Sequence, residues 1–348
     1  MKILHAVGTR PNFIKVAPVM RALNKAGNFE QILVHVGQHT GPDMADSIFK
    51  DLELRPSDVF IKASNDSIPS MMADIMPAFL SLLQSTKPDW LFVYGDVTAT
   101  VACAITAAHT SVKIAHIESG LRSFDRTMPE EINRIVTDHV STLLFASCDG
   151  AERQLISEGI PTESIHTVGN VMIDSLVYVM PKAKEIQIDP HILVTLHRPS
   201  NVDDSGKLAQ IVETLDTISE RSGLDIIFPV HPRTEKKIGR TRMVRLVRPL
   251  GYIDCISHIL SARLVITDSG GIQEETAFLK VPCLTVRENT ERPITMTMGT
   301  NKLVGTNPQT LIENAMFQLE HGPNISSEIP LWDGHSAERV VKVITEMR

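Results

Sequence analysis

Apolar and polar positions change period along this chain. Short runs of β-branched and aromatic residues alternate with longer stretches in which apolar residues recur at helical spacing. The runs predict strands at 2–7, 31–36, 90–94, 113–117, 143–146 and 164–168, and a second series at 191–196, 225–230, 244–247, 264–267 and 283–286. Loops rich in Gly, Asp, Ser or Glu follow these runs, and a helical pattern comes next. Strand–helix alternation of this kind builds parallel sheets with helices on both faces, so the expected class is α/β.

The two series are separated by a charged stretch at 181–190 that is bounded by Pro181 and Pro190 and reads as a linker. A chain of 348 residues exceeds what one hydrophobic core usually serves, since single cores stop growing at roughly 250 to 300 residues. Two domains with a cleft between them are therefore expected, at 1–180 and 181–334. Residues 335–348 read as an amphipathic terminal helix with apolar positions at Val340, Val341 and Ile344, which could pack on either domain.

Composition narrows the class. Hydrophobic residues at 43% and charged residues at 22% supply two globular cores and argue against disorder. A formal charge of -7 speaks against a nucleic-acid binder, which would carry a basic face, and places any phosphate on a small ligand. Cys103, Cys148, Cys255 and Cys283 stand far apart with no zinc-type spacing, so no metal is expected and the thiols read as reduced. Met1 runs directly into a strand rather than a signal sequence, and no segment approaches the ~20 apolar residues of a membrane span. The expected location is the cytoplasm, with no membrane partner.

In an open parallel sheet, ligands bind beyond the carboxyl ends of the strands. Gly8-Thr9-Arg10-Pro11 with Lys15 puts two cations at a helix start, where free N–H groups already favour phosphate. No G-x-G-x-x-G or Walker sequence is present, which removes the main support for dinucleotide or P-loop binding. Asp96 follows the strand 90–94 and opens a helix, a position that a plain N-cap also explains. Glu118 ends the next strand, where a charge is expensive to bury unless it is paired or used. Glu130 and Glu131 follow Pro129 at a helix start, which the helix dipole alone would accommodate. Asp96, Glu118 and Glu130 nevertheless come from neighbouring elements of one sheet edge, and carboxylates grouped near cations can divide acid and base work.

The second half repeats the theme. His197-Arg198 follows a buried strand, an arrangement suited to an anion or a proton transfer. Asp268-Ser269-Gly270-Gly271 is a strand–turn–helix junction where a helix N-terminus can approach a diphosphate, and Glu275 sits one turn on, within reach of a ribose. Arg287, Glu288, Glu291 and Arg292 crowd the next loop, where pairing with one another on the surface is the plain explanation.

Taken together and in order, Gly8-Thr9-Arg10-Pro11, Gly95-Asp96, Glu118-Ser119-Gly120-Leu121-Arg122, Pro129-Glu130-Glu131-Ile132-Asn133-Arg134, Thr195-Leu196-His197-Arg198, Asp268 to Glu275 and Thr290-Glu291-Arg292-Pro293 resemble the non-hydrolysing UDP-N-acetylglucosamine 2-epimerases, from Lys2 to the last helix. The resemblance implies two Rossmann-like domains with sheets facing across a cleft, as in GT-B enzymes, a terminal helix at 335–348 that crosses back to the first domain, a homodimer, a UDP-sugar substrate and no cofactor. It implies that UDP leaves C1 as a proton leaves C2, giving a bound 2-acetamidoglucal that is reprotonated on its other face before UDP returns. Asp96, Glu118 and Glu130 would then be the acid/base groups, and His197, Arg10 and Lys15 would stabilise the departing diphosphate. Ser269, Gly270 and Gly271 would hold phosphate, Glu275 the ribose, and Arg292 the nucleotide-sugar side of the cleft.

Two departures bear on regulation and substrate. Members with an activating second UDP-sugar site carry further polar and basic residues after Gln-His, whereas Gln38-His39 here runs into Thr40-Gly41-Pro42, and the later basic residue is replaced within Asn65-Asp66-Ser67. Arg292-Pro293 is followed by Ile294-Thr295, where many members place an acid, which leaves other UDP-2-acetamido sugars as alternatives. The rival classes are a GT-B glycosyltransferase, a hydrolysing epimerase that releases free sugar, and a non-catalytic UDP-sugar sensor.

Overall fold

The computed structural model describes residues 1–37, 42–64, 66–239, 241–323 and 328–347. Gln38, His39, Thr40, Gly41 and Asn65, at which the sequence departs from the activation pattern, lie outside the described residues. The chain divides into two compact units, Met1–Tyr178 with Pro330–Arg348, and Val179–Ile329.

The first unit holds strands β1 (Lys2–Val7), β2 (Glu30–Gly37), β3 (Val59–Lys62), β4 (Trp90–Tyr94), β5 (Lys113–Ser119), β6 (Leu143–Ala146) and β7 (Ile165–Thr167). They form one parallel sheet in the order β3-β2-β1-β4-β5-β6-β7. The second unit holds β8 (His191–Thr195), β9 (Ile226–Pro229), β10 (Val244–Val247), β11 (Ala262–Thr267), β12 (Cys283–Thr285) and β13 (Asn301–Leu303), parallel in the order β10-β9-β8-β11-β12-β13. Each unit is a Rossmann-like α/β layer structure, the class that the strand–helix alternation predicts. In both sheets the order reverses beside the first strand, between β1 and β4 and between β8 and β11. A crevice opens at the carboxyl ends of the strands at such a switch point.

Apolar strands meet apolar helix faces to close each core. In the first unit, Leu4, Val34, Leu91 and Val93 pack with Ile75, Phe79 and Ala102. In the second, Ile192, Val194 and Phe228 pack with Leu208, Leu215 and Leu311. Local signals start the helices that follow the site strands. Thr9 and Asn12 form a capping box at the helix Arg10–Ala26, with Pro11 in its first turn, where a missing N–H carries no penalty.

Two local differences from the sequence pattern have physical causes. Strands β3 and β13 were not predicted: both are edge strands of four and three residues, and β13 reads Asn-Lys-Leu, so backbone pairing with one neighbour defines it rather than any apolar run. The charged stretch 181–190 is not wholly a linker, because the helix Val171–Glu185 runs through Pro181. Its proline lies in the last turns, where only one N–H bond is lost. The helix Ser336–Glu346 packs against Arg10–Ala26 and is capped by Asp174, whose carboxylate accepts the N–H groups of Ser336 (3.1 Å) and Ala337 (2.6 Å). Trp332 pins the approach to it by donating Nε1–H to the Ser147 carbonyl at 3.0 Å. Among the described residues no helix is long and apolar enough to cross a membrane.

His5, in β1, is fully buried between Tyr94 Oη (2.7 Å) and Gln31 Oε1 (3.1 Å). Burial pulls its pKa down to about 3, against a smaller upward pull from the Gln31 hydrogen bond. An unfolded chain takes up this proton near pH 6.5 while the folded one does not, so the stability contributed by the neutral ring is complete above pH 6.5 and lost as pH falls towards 3. Urea denaturation at pH 7 and pH 4 is expected to show wild-type protein losing on the order of 3 kcal/mol more than His5→Phe over that interval. Equal losses in the two proteins would refute the assignment.

Candidate active site

The first unit gathers charged groups at the carboxyl edge of its sheet, on both sides of the switch point. Glu118 sits in β5 at a register shift, where Ile117 pairs with Phe145 and Ser119 with Ala146, so that Glu118 is the bulged residue. Its φ of 72° is in the left-handed region, which a non-glycine residue adopts only against about 1–2 kcal/mol of strain. The bulge turns the carboxylate towards Lys15, with Nζ 2.6 Å from Oε2 and side chains only 5% and 4% exposed. Gly95 makes room for this pair. It has φ 61°, and a Cβ there would stand 2.8 Å from Lys15 Nζ.

Asp96 does not cap the following helix. That helix, Thr98–Ala108, begins after Val97, and no side chain caps it. The Asp96 carboxylate instead pairs with the buried Arg134, which donates from both Nε (3.1 Å) and Nη2 and also pairs with Glu131. Glu131 is buried and accepts from the Ser123 N–H (2.9 Å), the Ser123 hydroxyl (3.0 Å) and the Phe124 N–H (2.8 Å), so it organises the loop after β5. Glu130 and Arg10 are half-buried in the first turns of their helices and make no hydrogen bond or ion pair among the described residues. His116, fully buried, joins the Gly95 carbonyl (2.8 Å) to Asp138 (2.7 Å). Burial alone would push Asp138 up, but the hydrogen bond and charge of His116 and the Arg122 guanidinium outweigh it and hold the carboxyl below its ordinary range.

The second unit places its groups around the β8–β11 switch point. Thr195 and Thr267 are register partners whose hydroxyls meet at 2.6 Å. Just beyond, fully buried Asp268 accepts the N–H groups of His197 (3.1 Å) and Arg198 (3.0 Å) and the Asn201 amide (2.9 Å), and lies 3.0 Å from His197 Nδ1. Burial raises this carboxyl, and the His197 and Asn201 hydrogen bonds with the Arg198 N–H more than reverse it, leaving it below its ordinary range. His197 is thus oriented by a buried carboxylate while its ring stays 64% exposed, which sets it apart from a core histidine.

Ser269 is the N-cap of the helix Gly270–Leu279, its side chain makes no capping bond, and no acid stands in the first turn. The first N–H groups and the positive end of the helix dipole are therefore offered outward, as an anion site requires. A side chain at Gly270 would run into the Arg292 guanidinium. Arg292 pairs with Glu274 (2.8 Å) and Glu291, and Glu291 also holds Arg287 at 2.7 Å. These residues are buried rather than paired on an open surface. Glu275 is buried one turn into the helix.

The structure thus pairs Lys15 with Glu118 and Asp96 with Arg134 in one unit, and in the other sets His197 on Asp268 and Gly270, next to Ser269, against Arg292. Sequence reasoning left Glu131, Arg134, His116, Asp138, Asp268, Glu274 and Glu291 without roles. Asp268 had a readable signal, a carboxylate directly after an apolar strand; for His116 and Asp138 the contact itself, 22 residues apart in sequence, was the missing information. Among the described residues no cluster of His, Cys, Asp or Glu is arranged to hold a metal ion.

Residues 21–345 match the family described as UDP-N-acetylglucosamine 2-epimerase. The chain is 36% identical to the UDP-N-acetylglucosamine 2-epimerase of Methanocaldococcus jannaschii, with 99% of each chain covered. It is also 36% identical, over the whole of both chains, to the UDP-2,3-diacetamido-2,3-dideoxy-D-glucuronate 2-epimerase of Pseudomonas aeruginosa. The crystal structure of the M. jannaschii enzyme in complex with UDP-GlcNAc and UDP superposes with a TM-score of 0.93 at 36% identity, covering 99% of this chain and 100% of that one.

Removing one member of a buried ion pair strands the other. Lys15→Met is expected to destabilise the protein by about 3–5 kcal/mol in chemical denaturation, and adding Glu118→Gln to recover more than half of that loss. If the double variant is no more stable than Lys15→Met, the two charges are not coupled.

Proposed function

The chain belongs to the UDP-N-acetylglucosamine 2-epimerase family, and from that membership we propose that it interconverts UDP-GlcNAc and UDP-ManNAc without hydrolysing them. The observation that carries the reading is the bulged, left-handed Glu118 held against buried Lys15, with Gly95, the residue before Asp96, packed on the pair. A strained carboxylate kept dry and paired is poorly explained by stability alone.

In this reading a carboxylate of the first unit takes the C2 proton while the C1–O bond to UDP breaks, so the C–H electron pair becomes the C1=C2 bond of a 2-acetamidoglucal. A second carboxylic acid then returns a proton to the opposite face of C2, and a UDP oxygen re-forms the bond at C1. Asp96, Glu118 and Glu130 are the acid/base set. The C2 proton of the free sugar is not acidic, so its removal depends on charge leaving with the diphosphate. Arg10, Lys15 and His197 lower that barrier by stabilising the departing anion. Ser269, Gly270 and Gly271 hold phosphate through helix N–H groups, Glu275 holds the ribose, and Arg292 holds the sugar-nucleotide. His197, carried on buried Asp268, keeps a fixed orientation while its ring stays open to ligand.

A related substrate is the second reading. The P. aeruginosa relative is as similar as the archaeal one, and Ile294-Thr295 follows Arg292-Pro293, so a UDP-2,3-diacetamido uronate is the comparison substrate. We also assign the active form as a homodimer. The helix Ile68–Thr86 has 19 residues with Asp74 as its one charge, buries Ile75, Phe79 and Leu83, and leaves Ile68 and Leu80 exposed, a face that a second copy would cover.

Incubation with UDP-GlcNAc in deuterated water, followed by NMR, is expected to show UDP-ManNAc forming with deuterium at C2 of both sugars. Glu118→Gln and Asp96→Asn are each expected to slow exchange about a hundredfold or more. Free ManNAc with UDP would indicate a hydrolysing enzyme, and ligand binding without exchange a sensor. Faster turnover of the diacetamido uronate would move the substrate to the second reading.

A further inference from the structure

The turn that carries Asp96 is held by its carbonyls. Tyr94 O accepts from Asn12 Nδ2 (2.8 Å) and the Thr100 hydroxyl (2.9 Å), Gly95 O accepts from His116 Nε2 (2.8 Å), and Asp96 O accepts from Asn133 Nδ2 (2.8 Å). Three successive carbonyls are thus bound by side chains from different elements: the helix Arg10–Ala26, strand β5 and the helix Pro129–Val140, with Thr100 adding a bond from the turn's own helix. A peptide turn with one soft carbonyl can rotate about the adjacent φ and ψ. Here rotation at Gly95, whose φ of 61° lies where glycine is least restricted, is opposed by the bond from His116 to its carbonyl and by the bond from its own N–H to the Ile117 carbonyl (3.0 Å), and of the two only the first comes from a side chain.

We propose that His116, oriented by Asp138, is a positioning residue for Asp96, clamping the carbonyl of Gly95, which lies against the Lys15–Glu118 pair, so that the Asp96 carboxylate keeps its place on Arg134. A carbonyl only accepts, so Nε2 of His116 must carry a proton, and the hydrogen bond from Nδ1 to Asp138 fixes the ring plane. Asp138 is itself held by the Gly120 N–H (3.1 Å) and by Arg122 (2.7 Å), and Arg122 is anchored by Glu158. The chain Arg122–Asp138–His116–Gly95 is fully or almost fully buried, and it ties the loop after β5, the helix bearing Glu130 and Arg134, and the turn bearing Asp96 into one unit. None of its members needs to touch substrate. Buried polar chains of this kind fix a single arrangement, because any alternative leaves a donor or acceptor unpaired.

The assignment rests on the epimerase reading of Asp96, and the test separates the two. Full-length wild type, His116→Gln, Asp138→Leu and Asp138→Asn are compared for C2 exchange from UDP-GlcNAc in deuterated water and for UDP affinity by calorimetry. His116→Gln and Asp138→Leu are expected to lower kcat about 10- to 100-fold, the range a misplaced catalytic group gives, with the UDP Kd within about threefold of wild type. Asp138→Asn is expected to remain within about threefold in kcat, since its amide can donate to Nδ1 and preserve the Nε2 proton that Gly95 requires. Folded Asp138→Leu and His116→Gln proteins with wild-type kcat would overturn the assignment, as would a parallel loss of UDP affinity. If Asp138→Leu does not fold, His116→Gln against Asp138→Asn decides. Absence of C2 exchange by the wild type would overturn the epimerase reading, and this assignment with it, whereas normal exchange by the variants overturns this assignment alone.

Discussion

The buried pair of Lys15 and Glu118 is the constraint around which the first unit's edge is arranged. Taking two charges out of water is worth little net stability even when they meet at 2.6 Å, because desolvation offsets most of the attraction. The pair makes further demands on its surroundings. Strand β5 must bulge and hold a left-handed residue at Glu118, residue 95 must lack a side chain, and the helix Arg10–Ala26 must begin directly after β1 so that Lys15 arrives one turn in. Each is a local departure from the easiest structure, and together they place a charged pair at the sheet's switch point. Of the left-handed non-glycine residues in this unit, Glu118 is one that lies inside a strand and carries a buried charge, which is why the proposed chemistry is placed there.

The second unit solves a related problem with the signs arranged differently. Buried Asp268 gathers His197, Arg198 and Asn201, and buried Glu291 gathers Arg287 and Arg292. Carboxylates inside hold cations and a histidine at the edge, next to a helix whose first N–H groups have no capping side chain. Fixed dipoles and charges of this kind are what the proposed diphosphate site at Ser269, Gly270 and Gly271 requires, since they need no reorganisation when an anion arrives. Family membership and the physical character of the two edges therefore agree, although each rests on separate observations.

Much of this was legible without coordinates. Strands such as β4 and β6 are continuous apolar runs with polar loops after them, and burial on both faces requires that composition, so their limits could be read directly. Short edge strands resisted the same reading, since β13 has one neighbour and no apolar run. Asp96 shows where local logic stops. Its position suits an N-cap equally well, and only the fold brings Arg134, 38 residues away, to its carboxylate. Glu130 and Glu131 are adjacent and chemically alike, yet the helix turns one into the loop after β5 and leaves the other without a partner among the described residues.

Sequence by itself determined the class, the order of strands and loops, and the chemical inventory at the carboxyl edges, because periodicity, turn chemistry and motif order are properties of near neighbours along the chain. Tertiary structure alone decided which charges are paired, which are strained and which are left unpaired: Lys15 with Glu118, Asp96 with Arg134, His116 between Gly95 and Asp138. Those contacts join residues tens of positions apart, and their strength comes from removal from water, which no local stretch of sequence specifies.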